Sequence, residues 1–193
     1  AGDPVKRIYD VAVIGAGIVG TAIARRLSRY QLSILILEEG IDVAMGATKA
    51  NSAIVHGGYA EPASTLKGRL CIAGRRAFAE LDQELNFGFR QTGSLVVTAE
   101  DDPAPLYRLL KQGRQNGLDD LRIVDQAELR ELEPKLNREL KWGLLCEGAG
   151  VCSPYEMAIA MAENAIANGA ELKLESAVKA VRGSRGSFTI DTA

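Results

Sequence analysis

The stretch Asp10–Gly20 reads DVAVIGAGIVG and indicates the fold of this chain. An apolar run leads into a Gly-x-Gly-x-x-Gly turn, and a helix-like segment follows from Thr21 to Arg29. A second apolar run, Ile34–Leu37, then ends at Glu38. This order of strand, turn, helix, strand and acidic residue, with the acid about 20 residues after the turn, is typical of a dinucleotide-binding unit.

Each residue type in this pattern has a physical reason. Gly15 allows the tight turn out of the strand, Gly17 lets the backbone approach a pyrophosphate, and Gly20 lets the helix pack closely on the sheet. The start of the helix offers free N–H groups and the positive end of its dipole to phosphates. Glu38 stands where a carboxylate accepts hydrogen bonds from ribose hydroxyls. The alternative is a glycine-rich packing turn that binds no ligand.

Composition and charge exclude several classes. The net charge of −2 offers no basic surface for nucleic acid, and the longest apolar stretch, Val11–Ala24, is too short and too rich in glycine to span a bilayer. The N-terminus carries no signal-peptide pattern. The cysteines Cys71, Cys146 and Cys152 are an odd set without Cys-x-x-Cys spacing, which argues against a disulfide framework or a metal site. We expect a protein of the cytoplasm with no metal and no transmembrane segment.

The order of the predicted elements is interrupted. We expect an α/β fold in which a Rossmann-like three-layer domain begins over residues 1–86 and continues over residues 150–193. Residues 87–149 are predicted to be an inserted part of an α+β substrate domain. Simple nicotinamide dehydrogenases usually run straight on through alternating strands and helices, so the insertion favours a two-domain flavoprotein.

Individual elements follow from local patterns. A helix is predicted over Ser64–Leu85, with the charges of its other face, Arg75 among them, in solvent. Phe87–Ala99 is predicted to be a strand. Ser153-Pro154-Tyr155-Glu156 is a helix start with Ser153 as N-cap, and the strand Glu171–Glu175 after that helix is expected to join the first sheet in parallel. Other local signals predict a short helix capped by Asp125 and a hairpin around Gly183-Ser184-Arg185-Gly186.

The loop after Glu38 is one of the segments in which the sequence resembles a known protein family. It includes GATKANSAIVHGGY from Gly46 to Tyr59, whose small and hydroxyl-bearing residues let the backbone lie against a large planar ligand. The chain resembles the D-amino-acid-oxidase-like superfamily of FAD-dependent oxidoreductases. Within it, the chain is most similar to L-2-hydroxyglutarate dehydrogenases and to the catalytic subunit of anaerobic glycerol-3-phosphate dehydrogenases. The residues that carry the resemblance are Asn51-Ser52-x-x-Val55-His56-x-Gly58, Leu66-Lys67-x-Arg69-Leu70-Cys71, Thr92–Val97, Leu132-Glu133-Pro134-x-Leu136 and Gly150-x-x-Ser153-Pro154-Tyr155-Glu156.

The resemblance implies an FAD held by the first sheet. The three glycines of the turn would cradle the FAD pyrophosphate, and Glu38 would bind the adenosine ribose. Thr48, Asn51 and Ser52 would lie near the pyrophosphate or the flavin. Lys49 would favour negative charge on a phosphate or on the reduced flavin, or else be an ordinary solvated lysine.

His56 is the candidate catalytic residue and the sole histidine of the chain. The resemblance implies that it lies near the isoalloxazine. Histidine titrates near neutral pH, so direct proton transfer is one role for it. Tuning of the flavin and an ordinary loop histidine are the alternatives.

The implied function is the oxidation of a small hydroxy acid or hydroxy phosphate, of the glycerol 3-phosphate or 2-hydroxyglutarate type, by hydride transfer to the flavin. The electron acceptor would be a quinone, a redox partner or oxygen. One alternative is an amine-oxidising enzyme of the glycine or amino-acid oxidase type. Another is a nucleotide-binding module that is inactive without a C-terminal half, because proteins of this family are about twice as long as this chain and it is expected to be a truncated, N-terminal portion.

Overall fold

The computed structural model describes residues 7–184 and 186–193, and these residues form ten strands and five helices. The strands are β1 (Val11–Ile14), β2 (Ile34–Leu37), β3 (Ile54–Val55), β4 (Ser94–Thr98), β5 (Leu121–Asp125), β6 (Trp142–Cys146), β7 (Gly150–Val151), β8 (Glu171–Lys173), β9 (Val178–Ser184) and β10 (Ser187–Thr192). The helices are α1 (Ile18–Leu27), α2 (Leu66–Leu85), α3 (Ala104–Gln115), α4 (Gln126–Leu132) and α5 (Pro154–Ala167). No helix in the described part of the chain combines the length and the apolar character that a membrane span requires.

The chain divides into two compact units. The first contains the residues up to Ser52, residues 85–87 and the residues from Ser153 on, and the second contains Ala53–Glu84 and Gly88–Cys152. Residues 53–84 therefore group with the inserted segment rather than with the first sheet. The assignment of residues 1–86, 87–149 and 150–193 to a cofactor domain and a substrate domain stays a prediction.

The first unit is built on a three-stranded parallel sheet in the order β1-β2-β8. The apolar runs of β1 and β2 align Val11 with Ile34 and Ile14 with Leu37. Helices α1 and α5 pack against each other. Small residues permit this approach, because Ala24 of α1 and Ala165 of α5 are completely buried in one core with Ile34 and Ile36 of β2.

The second unit is built on a three-stranded antiparallel sheet in the order β4-β6-β5. Leu106 of α3 packs with Leu144 of β6 in one core cluster, and Leu129 of α4 packs with Leu145 of β6 in another. Because Leu144 and Leu145 are successive residues of a strand, their side chains lie on opposite faces of the sheet. The sheet is therefore covered by α3 on one face and by α4 on the other.

Most of the predicted elements are found. Ser153 caps α5 by accepting a hydrogen bond from the N–H of Glu156, and Asp125 caps α4 in the same way through Glu128. The expected parallel strand after α5 is β8, which pairs with β2. β9 and β10 form the predicted hairpin, and Arg185 of the predicted turn sequence lies outside the described residues.

Two expectations from the sequence are wrong. The strand predicted over Phe87–Ala99 is limited to β4, because Gly88 and Gly93 take positive φ angles of +80° and +72° that interrupt extended backbone. Arg75 does not extend into solvent, since its side chain is only 14% exposed and forms an ion pair with Asp120. The partner lies 45 residues further along the chain, beyond the reach of a local pattern.

Replacement of Gly20 by alanine is expected to destabilise the chain. A Cβ atom at this position would overlap the carbonyl group of Gly15 and press on Val13. We expect the free energy of unfolding to fall by about 1–3 kcal/mol, the usual cost of forcing an atom into a packed site. The matched control is Gly74→Ala in α2, where a Cβ would meet nothing within 4 Å. There we expect stabilisation by about 0.5–1 kcal/mol, since alanine favours a helix over glycine. Urea unfolding of both variants measures the difference, and equal effects would contradict the close contact at Gly20.

Candidate dinucleotide site

The turn between β1 and α1 has the geometry that its glycines predict. Gly15 has a φ of +97°, and its N–H donates to the carbonyl of Leu37 at 2.7 Å, which fastens the turn to the end of β2. Gly20 lies against the Gly15 carbonyl with no room for a side chain. The turn is therefore held tightly by backbone contacts, and the start of α1, whose first N–H groups have no partner within the helix, lies next to it.

Glu38 reaches from the end of β2 back to the same turn. One oxygen of its carboxylate, Oε2, accepts from the N–H of Ala16 at 2.6 Å, and the other, Oε1, accepts from the N–H of Gly40 at 2.8 Å. The side chain remains partly exposed. A carboxylate is thus fixed at the carboxyl ends of β1 and β2, the edge at which open parallel sheets bind their ligands.

Thr48 supplies a cap that α1 lacks in its own sequence. The N-cap residue Gly17 has no side chain, and the hydroxyl of Thr48 instead accepts from the N–H of Ile18 at 3.0 Å. Thr48 is buried, and a Cβ on Gly17 would lie 3.2 Å from its Oγ1. The loop after Glu38 is therefore folded onto the start of the helix, and a side chain at position 17 would press on Thr48.

Two further contacts hold this loop. Ala44, with a positive φ of 58°, donates its N–H to the carbonyl of Ala16 at 3.0 Å. The hydroxyl of Tyr155 in α5 donates to Oδ2 of Asp42 at 2.5 Å. This hydrogen bond from Tyr155, with that from the N–H of Val43, lowers the pKa of the Asp42 carboxyl, and the same carboxylate raises the pKa of Tyr155.

An open cleft of about 680 Å³ runs along β1 and the turn. It is lined by the turn glycines, the first residues of α1, and Ala47, Thr48 and Asn51 of the loop. The amide of Asn51 donates to the carbonyl of Thr48 at 2.6 Å, which keeps the end of the loop compact.

The structure brings together most of the residues that the sequence selects. The cleft is lined by Gly15, Gly17, Gly20, Thr48 and Asn51, and Glu38 is bound to the backbone of the same turn. The two remaining candidate residues of the first unit, Lys49 and Ser52, are exposed. Nζ of Lys49 lies 3.5 Å from the sulfur of Met45. His56 belongs to the second unit, and its side chain is exposed.

Sequence reasoning missed the side chains that fix these segments. Asp42 and Tyr155 are paired across 113 residues, so no local spacing relates them. Tyr155 was visible only as part of a helix start, and Asp42 as one residue of a long loop. A pairwise contact of this kind could have been found only by comparison of many related sequences.

Comparison with known proteins identifies relatives of the whole chain. Residues 10–193 match a family model described as FAD dependent oxidoreductase. A glycerol 3-phosphate dehydrogenase of Caloramator mitchellensis is 42% identical over 172 residues, which are 89% of this chain and 36% of that protein. A mitochondrial L-2-hydroxyglutarate dehydrogenase of Nematostella vectensis is 32% identical over 169 residues, 86% of this chain and 35% of the relative. The chain thus spans about a third of the length of these relatives.

Solved structures share the fold. An L-alpha-glycerophosphate oxidase from Mycoplasma pneumoniae, solved with FAD bound, superposes with a TM-score of 0.90 at 24% identity, covering 97% of this chain and 50% of that one. A glycine oxidase from Geobacillus kaustophilus superposes with a TM-score of 0.86 at 26% identity, covering 95% of this chain and 51% of that one. The expected α/β fold of FAD-binding enzymes is confirmed. By its sequence match and its fold, the chain belongs to the family of FAD-dependent oxidoreductases.

Proposed function

We propose that the complete protein oxidises the secondary alcohol of a small hydroxy acid or hydroxy phosphate, of the glycerol 3-phosphate or 2-hydroxyglutarate type, with FAD as its cofactor. The observation that carries this proposal is the convergence of the glycine turn, the capped start of α1 and the fixed carboxylate of Glu38 at the ends of β1 and β2, beside the cleft that the turn lines. The 42% identity to a glycerol 3-phosphate dehydrogenase supports the substrate class.

The residues of the cleft suit an FAD. Its pyrophosphate would be held at the turn of Gly15, Gly17 and Gly20, where the lack of side chains lets a ligand approach the backbone and the helix dipole favours negative charge. Its ribose would be held by Glu38, whose carboxylate is already oriented by two N–H groups and still has lone pairs to offer. An oriented carboxylate loses little conformational entropy when the ligand binds.

The other candidate residues have supporting roles in this proposal. Thr48, Asn51 and Ser52 would shape the wall of the site, and Lys49 would balance negative charge near it. His56 would approach the flavin, to tune its charge or to move a proton. The flavin, when bound, supplies the hydride-accepting chemistry, and the protein supplies binding, orientation and electrostatics.

Electron acceptor and location are part of the same proposal. A quinone, a redox partner or oxygen would take the electrons from the reduced enzyme. We place the protein in the cytoplasm, since Cys71, Cys146 and Cys152 are free thiols, as a reducing compartment favours. A small molecule, and not nucleic acid, is the expected binding partner of a chain with a net charge of −2.

Amine oxidation is the second candidate, because the glycine oxidase from Geobacillus kaustophilus superposes at a TM-score of 0.86. Its identity of 26% is well below the 42% of the glycerol 3-phosphate dehydrogenase, so the alcohol class has the better support.

We expect glycerol 3-phosphate or L-2-hydroxyglutarate to bleach the flavin absorbance of the complete protein under anaerobic conditions, and glycine to leave it unchanged. Bleaching by glycine alone would contradict the proposal, and so would a complete protein that binds no flavin.

Gly17→Val is expected to abolish FAD binding while the protein remains folded. Gly17 has a φ of −74° and a ψ of 178°, which valine adopts without strain, but the side chain would crowd Thr48 and stand where a pyrophosphate must approach the backbone. Titration of flavin fluorescence measures the affinity, and circular dichroism checks the fold. The control is Gly74→Val, placed where a side chain meets open space. Full flavin occupancy in the Gly17 variant would show that the pyrophosphate binds elsewhere.

Glu38→Ala is expected to weaken FAD binding by a factor of about 10–100, because a charge-assisted hydrogen bond contributes about 1.5–3 kcal/mol. Glu39→Ala is the matched control, since Glu39 follows directly in sequence and is exposed. Glu38→Gln keeps the shape and part of the hydrogen-bonding capacity, so its loss is expected to be intermediate. An unchanged dissociation constant in Glu38→Ala with a loss in Glu39→Ala would assign the ribose contact to Glu39.

A further inference from the structure

The backbone that follows His56 is fixed at both of its glycine carbonyls. The carbonyl of Gly57 accepts from Nη1 of Arg75 at 3.0 Å, and the carbonyl of Gly58 accepts from Nδ2 of Asn116 at 2.8 Å. Both glycines are buried, whereas the imidazole of His56 is exposed. Buried backbone groups outside sheets and helices need such partners, so these two side chains determine how the segment folds.

Asn116 fixes the far end of the segment. Its amide nitrogen also donates to the carbonyl of Glu61 at 2.8 Å, and its amide oxygen accepts from the N–H of Ala63 at 2.9 Å. Asn116 is itself buried at the end of α3. The segment from Gly58 to Ala63 is therefore bound at three backbone positions by one side chain.

Arg75 fixes the end that adjoins His56. Besides the Gly57 carbonyl, its guanidinium donates through Nε to the carbonyl of Gly148 at 3.1 Å and through Nη2 to Oδ2 of Asp120. The same Asp120 oxygen accepts from the N–H of Gly148 at 2.7 Å. Arg75 thus joins α2, the segment after His56 and the turn before β7, in an arrangement that only a planar fork of several N–H donors provides.

The surroundings leave the segment little freedom to adopt another conformation. A Cβ on Gly57 would overlap the sulfur of Cys146 and lie within 3 Å of the Tyr59 ring, and Gly58 takes a φ of +83°. Asp120 is mostly buried, with 21% of its side chain exposed, and it supplies the negative charge that balances Arg75. Loss of Arg75 would leave the Gly57 carbonyl and the Asp120 carboxylate without their shared partner.

We infer that Arg75, held by Asp120, is a positioning residue for His56: by binding the Gly57 carbonyl it fixes the backbone that presents the imidazole. The catalytic consequence of this positioning rests on the proposed function, in which His56 approaches the flavin. The positioning itself depends only on contacts within the second unit.

The ring of His56 gives a direct test. In the complete protein labelled with ¹³C-histidine and ¹⁵N-glycine, the His56 signal is assigned as the one that is missing in His56→Gln. In Arg75→Met we expect this signal, at constant pH, to move by more than its line width or to split into several. We expect the amide signal of Gly57 to change with it, and that of Gly20 in the first unit to stay in place. Arg76→Met is the matched control, since Arg76 is the exposed neighbour on the same helix, and its spectrum is expected to be unchanged.

Arg75→Lys keeps the inference testable if the methionine variant does not fold. A lysine ammonium can pair with Asp120, but it lacks the fork that reaches Gly57 and Gly148 together, so we expect a smaller displacement of the His56 signal with the same circular dichroism. An unchanged signal in the folded Arg75 variants, or an equal change in Arg76→Met, would overturn the inference. The spectra need no FAD, so this failure is distinct from a failure of the proposed function, which the flavin titration detects.

Discussion

The close approach of Gly20 to the carbonyl of Gly15 is the constraint on which the candidate site depends. It brings the first turn of α1 against the end of β1, and this contact leaves no space for a Cβ atom. The turn before the helix must then be tight, which Gly15 achieves with a φ of +97°. As a result, the N–H groups at the start of α1 lie at the carboxyl edge of the sheet, where an anionic ligand gains most from them.

The rest of the site is arranged around that turn by polar side chains. Glu38 binds the N–H of Ala16, and Thr48 binds the N–H of Ile18, so two N–H groups beside the cleft already have acceptors. The loop that carries Thr48 is held in turn by Ala44 and by the pair of Asp42 and Tyr155. Together these contacts explain why the long loop after Glu38 has a defined conformation without regular secondary structure.

In the second unit, too, side chains bind the backbone groups of an irregular segment. The segment after His56 is irregular and partly buried, and its carbonyl groups are bound by the side chains of Arg75 and Asn116. Burial of peptide groups without partners would cost more than the segment gains from packing. A side chain from α2 and one from the C-cap of α3 therefore replace the ladder of hydrogen bonds that a strand would have formed.

The sequence alone determined the parallel unit and its turn, because these depend on local patterns: apolar runs of strand length, glycines at fixed spacing, and caps such as Ser153 and Asp125 beside their helices. The structure places Glu38 and Thr48 beside that turn, and their roles in binding the cofactor stay predictions from a motif and a resemblance. The sequence could not give the bounds of the strand predicted over Phe87–Ala99, where glycines interrupt the extended backbone, or recognise that the side chain of Arg75 is mostly buried. Only the tertiary structure decided those points, because the contacts of Arg75 with Asp120 and of Asp42 with Tyr155 join residues 45 and 113 positions apart. Such pairs form when the folded backbone brings distant segments within hydrogen-bonding distance, and no local spacing in the sequence records that distance.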